Sequence, residues 1–161
     1  MHIDLFSDTV CPWCRIGKRH LELALQDWPG EPPTIRYRSF FLDPTIPPEG
    51  HDFREHMTAK GGGRVPLEQF FAAPRERGAA VGLTFNFEAI TRAPNTLLSH
   101  RLVALAPEEK RGELLDALYA CLLYTSPVGK WPFIAPLIIT EIRRLGDSRG
   151  QARMGEAGAS I

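Results

Sequence analysis

Three cysteines in 161 residues are too few to staple a small secreted scaffold, so a hydrophobic core has to hold the chain together. An excess of either charge is also missing. Nineteen lysines and arginines balance nineteen aspartates and glutamates, which leaves a formal net charge of zero at pH 7. No basic face is advertised, and nucleic acid is not an expected partner. Long apolar runs are absent too: the most apolar late stretch, 131–142, carries Pro132 and Pro136 and is too short to span a bilayer. No membrane association is expected. The opening Met1-His2-Ile3-Asp4 has neither the basic segment nor the apolar stretch of a leader, so the expected location is cytoplasmic. Gly61-Gly62-Gly63 lacks the Gly-Lys-Ser/Thr of a phosphate loop and reads as a joint. No internal repeat is visible.

What is present suits a soluble domain, with 43% hydrophobic and 24% charged residues. Residues 2–6 read as a strand, and Ser7-Asp8-Thr9-Val10 as a turn. A helical pattern runs from Cys11 to about Trp28, with Gly17, Leu21, Ala24, Leu25 and Trp28 on one stripe expected to face the core. Pro29-Gly30-Glu31-Pro32-Pro33 ends it. Thr34 to Leu42 alternates and then turns apolar at Phe40-Phe41-Leu42, as a strand that becomes buried would. Strand, helix and strand within some forty residues predict a parallel, right-handed βαβ unit over 1–48. Helices are predicted near 51–60, 66–81, 94–106 and 107–124, with Pro74 kinking or splitting the second and Gly82 capping its end. Residues 49–124 thus form a helical segment. An atypical, partly disordered tail fills 125–161, with Leu137-Ile138-Ile139 its most strand-like part and disorder expected from Gly146.

Cys11-Pro12-Trp13-Cys14 sits between the first strand and the first helix. Two cysteines two residues apart at a helix start can close a small disulfide ring. Unpaired backbone N–H groups and the helix dipole there favour a thiolate, lowering a thiol pKa from its free value of about 8.5. On this reading Cys11, nearer the helix end and more exposed, is the catalytic nucleophile or carries the oxidised bond, and Cys14 resolves it. Pro12 and Trp13 shape the loop and bias its redox potential. A zinc half-site is the competing reading, with His2 and His20 as the nearest further ligands, but no second cysteine pair exists to close it. Haem attachment needs a histidine where Arg15 stands. His20 reads as solvated or partly buried, His51 and His56 as exposed, and Cys121 as a small core side chain beside Leu114, Leu118 and Leu122.

Phe6-Ser7-Asp8-x-x-Cys11-Pro12-Trp13-Cys14-x-x-Gly17, Arg38-Ser39-Phe40-Phe41-Leu42-x-Pro44, and Gly82-Leu83-x-Phe85 with Pro94-Asn95-Thr96-x-x-x-His100-Arg101 follow one another in order. Together they resemble the DsbA-like thioredoxin-fold family, in particular its mostly cytoplasmic branch that also holds 2-hydroxychromene-2-carboxylate isomerase. The resemblance covers roughly 1–120. It implies an α/β thioredoxin-like fold with an α-helical insertion and thiol–disulfide oxidoreductase activity. The dithiol is itself the redox centre, with no metal or other cofactor and with glutathione as a candidate co-substrate. Partners implied are thiol- or disulfide-bearing proteins or small molecules. Isomerase members commonly carry serine at the first cysteine and bind glutathione, so Cys11 favours redox chemistry. A glutathione-dependent isomerase or transferase, a non-catalytic thiol or metal module, and an inactive fragment stand as alternatives. Asn95, Thr96, His100 and Arg101 either shape a substrate or glutathione pocket or serve as helix-start and surface residues.

The tail departs from the family. A complete thioredoxin fold returns through two more strands and a helix, with a cis-proline beside the cysteines, for which Pro136 is the one stand-in. The C-terminal half of the sheet is therefore expected to be incomplete, as in a truncated or chimeric end. An exposed strand edge, low stability or association into a homodimer would follow.

Overall fold

A computed structural model describes residues 1–123. The expectations for Pro136, Leu137-Ile138-Ile139 and the tail from Gly146 lie outside the described residues.

Strand β1 (His2–Ser7) alternates Ile3 and Leu5, half-buried, with exposed His2, Asp4 and Phe6. It pairs in parallel with β2 (Thr34–Ser39), Ile3 opposite Ile35 and Leu5 opposite Tyr37. On the open face Asp4 accepts from Arg36 Nη2 and Arg38 Nε, each at 3.0 Å. Guanidinium groups on both sides hold the Asp4 carboxyl below its usual range. Helix α1 (Pro12–Gln26) connects the two strands, as the βαβ reading requires. Among the described residues this sheet has two strands.

The remaining helices are α2 (Phe53–Lys60), α3 (Leu67–Ala79), α4 (Leu97–Leu105) and α5 (Arg111–Leu122). Two short strands, β3 (His51–Asp52) and β4 (Arg92–Ala93), pair antiparallel and tie the start of α2 to the approach of α4. Asp52 caps α2, accepting from Glu55 N–H at 3.0 Å. Helix α3 ends in a Schellman turn: Leu83 N–H bonds Gly78 O, Gly82 N–H bonds Ala79 O, and Gly82 takes φ +76°. Beyond it Val81, Leu83, Phe85 and Phe87 are buried in alternation with exposed Gly82, Thr84 and Asn86. Between the turn at Gly82 and a short 3-10 helix over Phe87–Ala89, the chain belongs to neither helix nor sheet. These four join Ile16 of α1, Phe71 of α3, and Leu115 and Tyr119 of α5 in the core. The core thus lies beneath α1 and among the helices rather than on the sheet.

Three expectations are corrected. The buried face of α1 is not the Gly17–Trp28 stripe. Ile16 and Lys18 are buried, Cys14 and Leu23 pack on the core, and Gly17, Ala24 and Trp28 are exposed. An ion-paired lysine takes a place that apolar spacing assigns to a hydrophobe. Pro74 does not split α3. Its ring is buried, and that contact offsets the hydrogen bond its nitrogen cannot make. Phe40-Phe41-Leu42 do not sink into a core: β2 ends at Ser39 and all three are exposed.

Gly50 precedes β3 with φ +76°, and a Cβ there would lie 2.7 Å from the Ala93 carbonyl oxygen. Neither the backbone conformation nor the space admits a side chain. Gly50→Ala is expected to cost roughly 1–2 kcal/mol from the left-handed backbone alone. A urea melt should show a lowered midpoint with the same slope, and an unmoved midpoint would contradict the strain.

Candidate functional site

The turn from β1 into α1 is built by its own backbone. Cys11 N–H bonds Asp8 O at 3.1 Å, and Arg15 N–H bonds Cys11 O at 3.1 Å as the first helical hydrogen bond. Pro12 occupies the first helical position, where a missing N–H costs nothing. Cys11 is the N-cap, with φ −92° and ψ 111°, and its Sγ accepts from Cys14 N–H at 3.3 Å. A sulfur therefore takes the place usually held by a serine or aspartate oxygen, against the positive end of the helix.

Both cysteines are free thiols. The interaction between the two sulfurs is the largest influence on the ionisation of each. One negative charge shared by the pair is favoured, so the first proton, assigned to Cys14, leaves at about 7. A second charge beside it is opposed by that same interaction and by burial, and the Cys11 thiol is pushed far up. The two macroscopic steps belong to the pair rather than to either sulfur.

Cys11 is 6% exposed and is the more buried of the two, contrary to the sequence-based expectation. It nevertheless reaches a ligand-sized space, because it lines a cavity of about 450 Å³ that Cys14 does not line. Cys14 turns toward the core instead. Trp13, half exposed, stands at the cavity edge with Pro12. The wall opposite is aromatic, with Phe53 stacked on Phe71 and Phe71 on Phe87 at centroid distances of 5.7 and 4.3 Å. Asp43, His56, Lys60 and Arg92 also line the cavity. Asp43 is shared by His56 at 3.6 Å and Lys60 at 3.7 Å, and Arg92 is engaged by Glu49 O. Burial is the main cause that pushes His56 down.

The four residues of the third sequence block separate in space. Thr96 is buried and lines the cavity. Asn95 pins a loop, donating from Nδ2 to Ile46 O at 2.6 Å and accepting Leu97 N–H at 2.9 Å. His100 is buried against Asp8 and Phe41, and Arg101 is exposed. Neither Asn95, His100 nor Arg101 lines the cavity.

Sequence reasoning did not single out Asp8 or the aromatic wall. Asp8 could have been noticed as a carboxylate three residues before a reactive cysteine. Nothing in spacing marks Phe53, Phe71 and Phe87 as wall rather than core.

A family model described as a DSBA-like thioredoxin domain matches residues 2–124. Among solved structures, a probable DsbA oxidoreductase from Streptomyces coelicolor is 33% identical with a TM-score of 0.65. The match covers 80% of this chain and 56% of that one, so the chain spans little more than half the length of that protein. No curated protein matches the chain.

Proposed function

Since the chain belongs to the DSBA-like thioredoxin domain family, we propose that it is a thiol–disulfide oxidoreductase acting through Cys11 and Cys14. The observation that carries this reading is the division between the two sulfurs: Cys11 faces the cavity and Cys14 the core, with one charge held between them.

The exchange then runs in two displacements. As Cys11 attacks a substrate disulfide, its proton passes to Cys14, so that the pair's single negative charge is on the attacking sulfur. A Cys11–substrate disulfide forms and the first substrate sulfur leaves as a thiolate. Cys14, losing its proton to solvent, attacks Cys11 and expels the second substrate sulfur. The substrate gains two electrons and the protein is left with a Cys11–Cys14 disulfide; the same steps reversed oxidise a dithiol. The aromatic wall suits an apolar group beside the reacting sulfur, which is compatible with a disulfide-bearing peptide or small molecule. Pro12 constrains the ring and Trp13 covers its outer side. No helix of the described residues is long and apolar enough to cross a membrane.

Alkylation by iodoacetamide across pH tests this directly. The rate should rise with a midpoint near pH 7, about 7 being the value at which the pair first ionises. Equilibration with a glutathione redox buffer should interconvert dithiol and disulfide. Two thiols that react like free cysteine, with a midpoint near 8.5, would remove the basis of the reading.

A further inference from the structure

The strongest unassigned feature is a buried acid–histidine contact behind the dithiol turn. Asp8 is 1% exposed and His100 5%. His100 Nε2 lies 3.4 Å from Asp8 Oδ1, within ion-pair distance but without an aligned hydrogen bond, and it finds no other partner among the described residues. The carboxylate is otherwise fixed from two sides, by Leu42 N–H on Oδ2 at 2.8 Å and by Val10 N–H on Oδ1 at 3.5 Å. Beside it Thr9 Oγ1 and Ser99 Oγ are 2.7 Å apart, so the same turn is tied to α4 twice. The Phe41 ring closes the other side of the imidazole at 4.6 Å. Asp8 is the charged group facing His100; Phe41 from the β2 exit and Thr96 from its own helix are neutral.

We propose that His100 is a positioning residue for disulfide exchange, offsetting through Asp8 a buried negative charge that would otherwise oppose the Cys11–Cys14 thiolate. This rests on the oxidoreductase reading above. His100 touches neither substrate nor sulfur and moves no proton in the exchange. Its effect is electrostatic. Asp8 lines the same cavity as Cys11, and its backbone carbonyl holds Cys11 N–H, so the turn that carries this carboxylate is the turn that carries the dithiol. Burial alone would push the Asp8 carboxyl up, yet His100 and Leu42 N–H outweigh it and keep Asp8 below the usual range. The carboxylate is therefore charged at neutral pH, and its field acts against the Cys14 thiolate. With His100 replaced, Leu42 N–H still holds the carboxylate, and its charge loses the group that offsets it in a site of low effective dielectric.

The test compares alkylation profiles and glutathione redox equilibria of four variants with those of the wild type. His100→Leu should move the alkylation midpoint up by about one pH unit, an approximately tenfold slower rate at low pH. It should also shift the equilibrium toward the disulfide. Asp8→Asn removes the opposing charge and keeps an acceptor, so it should react faster than wild type at pH 6. It also supplies an independent arm if His100→Leu fails to fold. Asp8→Asn/His100→Leu should return to the Asp8→Asn profile, and His100→Gln, which keeps a donor, should lie between wild type and His100→Leu. A His100→Leu protein that melts earlier with an unmoved midpoint would reduce His100 to a packing residue and overturn the inference. So would an Asp8→Asn protein no faster than wild type. If the wild type itself lacks an activated thiol, the oxidoreductase reading fails first and this inference falls with it.

Discussion

Cys11→Ser is expected to abolish disulfide exchange, while Cys14→Ser should retain the first displacement and stall as a mixed disulfide. The asymmetry comes from placement. Cys11 is the sulfur on the cavity, so replacing it removes the atom that meets the substrate. An alcohol in its place has no thiolate chemistry. Cys14 lies toward the core, reachable from Cys11 but not from the cavity, so its loss prevents release rather than capture. Mass spectrometry after exposure to oxidised glutathione should find one adduct on Cys14→Ser and none on Cys11→Ser. An adduct of equal yield on Cys11→Ser would reverse the assignment.

The same pair makes a pH prediction with a definite sign. The interaction between the sulfurs is the largest cause of the lowered first ionisation, at about 7. Cys14→Ala removes the group with which Cys11 shares this charge and should raise the alkylation midpoint of Cys11 further than Cys14→Ser, which keeps an O–H. In the reduced wild type the folded chain releases this proton more readily than the unfolded chain. Its stabilising contribution is therefore complete above the unfolded value near 9.0 and is lost as pH falls through about 7. Melts of the reduced protein should gain on those of Cys11→Ser/Cys14→Ser as pH rises through this window.

Much of the fold is legible from local pattern, and the reasons for success and failure are physical. The alternation of Ile3 and Leu5, the proline-rich stop after Trp28 and the next alternating run specify strand, helix and strand, because each signal is local. Likewise Gly82 marks the end of α3 through a backbone freedom carried by a single residue. Burial is a different matter, since it depends on what arrives from far along the chain. Lys18 looks solvated until Glu22 and Asp116 are brought to it, and Phe40 to Leu42 look like core until the strand stops short of them. The pairs β3 and β4 are two residues each and leave no period to detect. At the site, Cys11 and Cys14 announce themselves by spacing, whereas the partners of His100 and the wall of Phe53, Phe71 and Phe87 are assembled from separate elements.

Asp116→Ala should be the most destabilising change outside the site, because it unbalances charge buried between α1 and α5. Lys18 Nζ is 4% exposed on its side chain, with Glu22 and Asp116 as its acceptors, the latter at 2.7 Å. Arg15 also pairs with Asp116 while its guanidinium lies 5.7 Å above the Tyr119 ring. Removing the carboxylate leaves Arg15, Lys18 and Arg19 against one remaining acid, Glu22, whose carboxyl Lys18 and the two arginines hold low against the opposing effect of burial. Breaking a buried pair in this way costs about 3–5 kcal/mol, and the partial exposure of Asp116 argues for the lower end. On a domain of this size about 3 kcal/mol lowers Tm by on the order of 10 °C. Lys18→Met should cost far less, since it removes the buried charge itself and gives up only the ammonium's place 5.9 Å from the Tyr37 ring centroid. Lys18→Met/Asp116→Ala should accordingly recover part of the loss seen in Asp116→Ala. Equal losses in the two single variants would show that packing rather than charge governs this contact. Since neither residue lines the cavity, the alkylation midpoint of each folded variant should stay at the wild-type value; a shifted midpoint would mean that the α1–α5 contact also tunes the dithiol.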